Sequence, residues 1–567
     1  MSIILGIDLG TSTTECAIYK DDKPVMIPNE DEKIIIPSAV GVDDFGNWVI
    51  GERAASQFLL SPERTAIEIK RKIGTNEPIV IDGKKYTAVE LSTKILEYVK
   101  AYAEEYVGEE IDRAVISVPA YFNDIQRNEV IKAGMGAGLD VERILNEPTA
   151  AALSYGLDHM EEESHILVYD LGGGTFDVTL LEMFEGVLDV KASSGDNQLG
   201  GKDFDEKLMN HMTQAFKKKH NVDLLANKFA LVKLKTEAEA CKKSLSSETS
   251  YRVMIPAIIE KNGEPLALDM TITREEFEEL SKDLIQRTHH PIDVVLKDSQ
   301  LSPTDIDRVI LVGGSTRMPL VFNDIVEYLD IEPGKSVNPD YAVAEGAAIM
   351  AGIINNDISH ETGLIITDVN PYTLGIRSIN GFDIDHMSVL IKRNVTIPTT
   401  KSDIFYTAHD YQTNAIIEVY QGESKVASNN HFLGKFEIGD IPPKYAGMEA
   451  IDVQFSYNLN GILEVQAKIV STGNQASINI DLMGNNSVED DEPGIDLEAW
   501  KDAEAASDYR ALIRRAERSL KKGTMDSQTR KKLEDALNRL KRGIIEEDDD
   551  LMDEAEKDVK DNLSQGE

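Results

Sequence analysis

The chain is poor in cysteine, in aromatic residues and in positive charge. Only Cys16 and Cys241 occur among 567 residues. That is too few for a disulfide framework or a cysteine-built metal site, and it suits a reducing compartment. No apolar run approaches the roughly 18 residues of a membrane span, and no basic, cleavable leader precedes the first strand-like stretch. The expectation is a cytoplasmic protein. With 59 basic against 100 acidic residues the net charge is −41, which argues against nucleic acid or an anionic membrane as the main partner and for solubility. Apolar residues make up 41%, enough to build cores. The length suits three or four domains.

What is present is organised around residues 166–181, which read as an apolar strand, a reversal through Gly172-Gly173-Gly174, and a second apolar strand. Successive glycines leave backbone N–H groups free to form an anion nest. Asp170 and Asp177 bracket the turn, with Thr175 between them. Phosphate donors beside carboxylates for a hydrated Mg²⁺ suit a nucleotide, although the same pattern suits an ordinary Gly-rich hairpin. The pattern occurs twice. Residues 3–19 run through Asp8-Leu9-Gly10 into the hydroxyl-rich turn Thr11-Ser12-Thr13 and back into a strand. Asp8 and Asp170 lie 162 positions apart, about one domain length, which suggests two related lobes facing one cleft. A third turn, Gly313-Gly314-Ser315-Thr316-Arg317, follows a strand-like run and could hold the rest of a nucleotide at a helix start.

Strands alternate with helices to about residue 356, an α/β signature. From 369 to about 481 the period becomes two: Ile451, Val453, Phe455 and Tyr457 alternate with polar residues, as do Leu463, Val465 and Ala467. Asn460-Gly461 between them signals a hairpin, so an antiparallel β-sandwich is expected. Beyond 486 the chain is acidic and helical. Tyr509, Leu512, Ile513, Ala516 and Leu520, then Leu533, Ala536, Leu537, Leu540 and Ile544, mark two amphipathic helices.

These residues, with Val118-Pro119-Ala120-Tyr121-Phe122-Asn123-Asp124, Asn146-Glu147-Pro148-Thr149-Ala150-Ala151 and Leu199-Gly200-Gly201, resemble the DnaK-type chaperones of the seventy-kilodalton heat-shock protein family. The brief segment between Gly74 and Leu91 and the short C-terminal region fit its HscC-like branch best. The resemblance implies a multidomain chain: an actin-like two-lobed α/β ATPase domain over 1–358, an interdomain linker over 359–369, a β-sandwich peptide-binding domain over 370–485, and a truncated helical lid over 486–567. It implies an ATP-dependent chaperone, with ATP or ADP, Mg²⁺ and K⁺ as cofactors. The implied partners are unfolded clients, a J-domain co-chaperone and a nucleotide exchange factor, with a role in protein folding and the stress response.

The resemblance also assigns roles. Lys70, Glu147, Thr175 and Asp177 would be catalytic, while Asp8 (through water) and Asp170 would hold Mg²⁺. Gly10, Thr11, Ser12, Thr13, Gly172, Gly173, Gly174, Gly200 and Gly201 would cradle phosphates. Glu239, Lys242, Lys243, Ser246, Gly313, Gly314, Ser315, Arg317 and Asp340 would hold the nucleoside. Ile376, Ser378, Ile379, Phe405, Ala408, Ala415 and Ile417 would line a peptide channel. On composition alone, Lys70 belongs to a solvated basic cluster, Glu147 is a surface carboxylate, and 235–246 is a solvated helix face. Pro119 and Arg143 match relay positions, and Arg127 a surface for a J-domain. The chain departs from the family at Thr13, Lys202, Lys243, Ala415 and Ala446, and at Thr367, where loss of an apolar residue should weaken linker docking. A sugar kinase or a filament-forming ATPase shares the actin-like fold, but neither needs the sandwich and helical region.

Overall fold

The computed structural model describes residues 3–479 except 158, 160–162, 185, 335–337, 359–364 and 461, and scattered positions between 509 and 563. It forms two bodies, Met1–Val488 and Glu489–Glu567.

Two mixed sheets of the first body follow one plan. In the first, Ile4–Leu9 turns back into Thr13–Lys20 and again into Lys23–Met26, while Arg113–Val118 lies parallel beside Ile4–Leu9. In the second, Ser164–Leu171, Phe176–Phe184 and Val187–Asp196 make the meander, and Arg308–Val312 lies parallel beside Ser164–Leu171. The duplicated hairpin is therefore real and extends to its neighbours. A parallel neighbour requires a long crossover; that of the first sheet includes the helix Ala88–Val107, started by a capping box between Thr87 and Glu90.

Helices Glu147–Gly156 and Ala342–Ile354 share one apolar cluster with residues of both sheets, among them Ile4, Val115, Ile166 and Val168. Their backbones nearly touch. A Cβ on Gly346 would lie 1.8 Å from the Ala150 carbonyl oxygen, and one on Gly6 would lie 2.4 Å from the Ala348 nitrogen. The small-residue run after Asp340 thus serves close approach.

Residues 374–479 form the expected sandwich. One antiparallel sheet runs Asp383–Ile391, Leu374–Asn380, Ala415–Gln421, His431–Ile438; the other runs Thr399–Tyr406, Ala450–Tyr457, Leu463–Ile469, Gln475–Asn479. Ile451, Val453, Phe455 and Tyr457 are all buried, with their polar neighbours less so. The alternation in the sequence marks the face that enters the core.

The sandwich is tied to the α/β sheets. Strand Ile365–Ile366 adds to the edge strand Val187–Asp196. Tyr457 Oη donates to Asp124 Oδ1 (2.8 Å), Tyr372 Oη to the Tyr121 carbonyl (2.9 Å), and the Asn394 side-chain amide to Asp298 Oδ2 (2.8 Å). At Thr367 the backbone N–H donates to the Leu188 carbonyl at 3.0 Å, and the side-chain hydroxyl donates to Asp189. Part of the expected linker, 359–364, lies outside the described residues.

In the second body Ile513, Ala516, Leu533, Ala536, Leu537, Leu540 and Ile544 share one buried cluster, with Tyr509 and Leu512 against it. Leu520 lies outside the described residues. Met552, Ala555, Val559 and Leu563 join the same cluster, a third stripe that the sequence reading missed. Its surroundings are so acidic that the apolar spacing is easily overlooked.

Candidate functional site

A cleft of about 680 Å³ opens between the two hairpins. Its wall includes Gly10, Thr11, Ser12 and Thr13 from the first, Gly172, Gly173 and Thr175 from the second, and Gly313, Gly314 and Ser315 from the third turn. Asp8, Lys70, Glu147, Asp170, Arg317, Asp340, Glu239, Lys242, Lys243 and Ser246 also line it. Residues drawn from the whole span between 8 and 340 thus meet in one place.

The loops are shaped by close backbone approach. A Cβ on Gly10 would lie 2.3 Å from the Thr13 carbonyl oxygen, and one on Gly200 would lie 2.4 Å from the Gly174 nitrogen. Gly200 and Gly201 do not appear among the cleft-lining residues; the Gly201 N–H is spent on the Gly172 carbonyl at 2.9 Å. Their backbones pack against the triglycine turn beside the cleft wall: a Cβ on Gly201 would lie 2.5 Å from Ser315 Oγ, and one on Gly174 would lie 2.8 Å from Thr11 Cγ2.

Lys70 Nζ meets Glu147 Oε1 at 2.5 Å, and both residues are buried. Lys70 is therefore no solvated cluster lysine, nor Glu147 a surface acid. Ser117 Oγ donates to Asp8 Oδ1 at 2.8 Å, and the Tyr121 N–H donates to Asp177 Oδ1 at 2.9 Å. Asp177 Oδ2 is buried without a partner. Burial, reinforced by Glu147, pushes Asp8 up to about 6 and Asp177 to about 7, and lifts Asp170 well above the usual carboxylate range.

The nucleoside side differs from expectation in one respect. Lys242 Nζ donates to the Gly201 carbonyl (2.8 Å) and pairs with Asp205 (2.9 Å), so it braces the start of the helix Gly201–His220. Lys243 is mostly exposed and pairs with Glu239 at 2.7 Å. Arg317 pairs with Asp340, and Ser315 Oγ donates to the Gly172 carbonyl at 2.8 Å.

Several wall residues escaped the sequence reading: Glu15, Glu68, Lys235 and Asp205. Glu15 was detectable. It is an acid within an apolar strand, opposite Asp8 in the ladder, as Asp177 stands opposite Asp170. Burial and then Asp8 hold Glu15 well above the ordinary glutamate range. The other three offered no local signal.

Among the described residues no group of three or more acidic side chains is placed to hold a metal ion by itself, so a divalent cation here would need phosphate or water oxygens as well. Asp8, Glu15, Asp170 and Asp177 are all pushed toward protonation, and Lys70 is already committed to Glu147. A polyphosphate would add more negative charge. An all-oxygen donor set with uncompensated charge suits Mg²⁺ shared with phosphate oxygens.

The expected peptide-channel residues divide. Ile376 and Ile417 are buried in the sandwich core, with Phe405 and Ala415 partly buried against it. Ile379 and Ala408 are exposed. Ser378 Oγ bonds Ser388 Oγ at 2.8 Å. Arg127 is buried, donating to the Ala120 and Phe122 carbonyls and to Asn146 Oδ1, so it does not offer the surface expected of it.

Two like-planned sheets closing on a glycine-edged, acid-floored cleft, with a β-sandwich tied on by a short added strand, define a two-lobed α/β protein with an appended β module. The sequence model of one family, described as Hsp70 protein, matches residues 4–82 and 78–567. The chain belongs to the Hsp70 family. That family is one of ATP-dependent chaperones, ATPases that take ATP or ADP with Mg²⁺ and work with unfolded clients, J-domain proteins and exchange factors. Among the described residues no helix is long and apolar enough to cross a membrane.

Proposed function

We propose that this chain hydrolyses ATP in the cleft and uses the nucleotide state to alter the grip of the β-sandwich on an extended apolar peptide. One run of contacts carries the reading. Lys70 pairs with Glu147; its neighbour Asn146 donates through Nδ2 to both oxygens of Asp368 at 2.8 Å. Asp368 directly follows the residues that anneal to the second sheet. A change at the cleft therefore has a packed, hydrogen-bonded route to the sandwich.

In the cleft, the Gly10–Thr13 and triglycine turns offer backbone N–H groups to phosphate oxygens. Asp170, and Asp8 through water, would hold Mg²⁺, which when bound neutralises charge between phosphate oxygens. Lys70 stabilises charge on the transferred phosphoryl group, and Glu147 keeps it aimed. Thr175 and Asp177 orient the attacking water. The water oxygen bonds to the terminal phosphorus as the bridging P–O bond breaks, and the water proton passes to Asp177. That carboxylate suits the task, because its value of about 7 lies near working pH.

In the sandwich, an extended client would bond main chain to main chain, under an arch of Ile379 and Ala408. Ala415 in place of a larger residue deepens the central pocket, so larger apolar side chains should be tolerated. The decisive measurement is release of a labelled apolar peptide from the full chain under ATP and under ADP. Faster release under ATP supports the reading; equal rates overturn it. By linkage, peptide must in turn alter nucleotide affinity.

A further inference from the structure

Glu68 stands at the rim of the cleft with φ +64°, in the left-handed region that non-glycine residues seldom adopt. It immediately precedes the turn Ile69–Lys72 that carries Lys70. Ile69 and Ile73 belong to the apolar core of the first sheet. Glu68 spends its carboxylate on the opposite side. Its Oε2 lies 3.2 Å from Lys202 Nζ, and its other oxygen pairs with Lys235. Both lysines sit on helices of the second sheet's core, Gly201–His220 and Lys228–Leu245. All three residues line the cleft.

Lys202 touches the phosphate loop as well, because its backbone N–H donates to the Gly173 carbonyl at 3.1 Å. Its side chain is only 12% exposed. Burial drives the ammonium down to about 7 against the pull of Glu68, so the lysine occupies a place that disfavours its charge. Beside it, Arg71 donates to Asp203 Oδ2 (2.8 Å) and to the Gly174 carbonyl (2.9 Å).

We propose that Glu68, gripped by Lys202 and Lys235, is a clasp across the cleft that sets how fast bound nucleotide leaves this chain. The two cores face each other here without a peptide link, so opening the rim must separate Glu68 from both lysines. Partly buried charges separate at greater cost than exposed ones, since less water is at hand to replace the lost partner. The strained backbone at Glu68 is consistent with a residue held by its partners.

The proposal rests on the cleft's being the nucleotide site, and the test separates the two. Fluorescent ADP is bound to the full chain with Mg²⁺, and its exit is followed by stopped flow after addition of excess ADP. No binding to the unaltered chain would remove the nucleotide reading itself. Given binding, Glu68→Gln and Lys202→Glu should each speed exit roughly tenfold, or about 1.4 kcal/mol of barrier. In a Lys235→Met background, where no second lysine faces position 68, the double exchange Glu68→Lys with Lys202→Glu should return exit toward the Lys235→Met rate, because the pair is restored with its signs reversed. Lys235→Met, on the better exposed partner, should give a smaller acceleration in the same direction and serves if the Lys202 variant fails to fold. Single variants within twofold of the unaltered chain would overturn the clasp. So would a double exchange, in the Lys235→Met background, as fast as Lys202→Glu in that background, since Lys202 would then act on the phosphates directly.

Discussion

The two hairpins share a plan but not a task. In each, an aspartate ending the first strand faces an acid on the returning strand: Asp8 opposite Glu15, Asp170 opposite Asp177. The turn between is hydroxyl-bearing in one and triglycine in the other. Glu15 lines the cleft, whereas Asp177 has one oxygen held by the Tyr121 N–H and the other buried without a partner. The proposed mechanism gives the acid on the returning strand a chemical step in the second hairpin, at Asp177, and none in the first, at Glu15. A repeated backbone thus supplies two positions, and the neighbours of each decide its chemistry.

The largest expected effect tests that division. Asp177→Asn should slow single-turnover hydrolysis by roughly 10²-fold, the usual scale for losing one acid–base group, with nucleotide affinity little changed. Glu15→Gln should leave the rate within a few-fold and raise the Mg²⁺ concentration needed for tight ADP binding, because the cleft loses one acid that draws the cation. Equal losses of rate would erase the distinction.

A second contrast concerns the turns. The Cβ of Gly10→Ala would lie 2.3 Å from a backbone oxygen, whereas that of Gly173→Ala would lie 2.1 Å from Ser12 Oγ, a side-chain atom. Gly10→Ala should cost about 2 kcal/mol in denaturant unfolding. Gly173→Ala should cost less, and Ser12→Ala should relieve most of that cost.

Stability without metal or nucleotide should depend on pH in a definite sense. Asp8 at about 6 and Asp177 at about 7 lie above the ordinary aspartate value of 3.8. The folded chain therefore binds more protons than the unfolded one across that interval. Their contribution is fully present below about pH 4 and is lost as pH rises to 7. In EDTA the melting temperature should fall between pH 5.5 and 8, by no more than the roughly 2–4 °C per kcal/mol that holds for domains of about 150–250 residues. Asp177→Asn should flatten the upper part of that slope.

The smallest effect belongs to the tether. Thr367→Val removes the hydroxyl bond to Asp189 and leaves Asp189 short of one donor, a loss of about 1 kcal/mol. Peptide release should become less responsive to ATP by roughly fivefold, as read by the same labelled peptide.

Much of the fold was legible because its signals are short-range. The strand–glycine–strand pattern, the alternation along Ala450–Tyr457 and the helix spacing near 533–544 depend on neighbours a few positions away. The glycine and hydroxyl-bearing turns that line the cleft were legible for the same reason. Lys70 and Glu147 were not: their composition suggests solvated groups, and only the fold buries them against each other. Arg127 misled in the opposite direction, since a buried guanidinium satisfied by carbonyls looks in sequence like any exposed helix arginine.

Local chemistry in the chain itself determined the duplicated acid-and-glycine hairpins, the change of period near residue 369 and the excess of negative charge. The tertiary structure alone decided that Glu68 meets Lys202 and Lys235, that Asn146 meets Asp368, and that Thr367 docks by hydrogen bonds. Backbone conformation answers to adjacent residues, whereas the worth of a charge or a hydroxyl depends on what burial removes around it and which distant group is brought near.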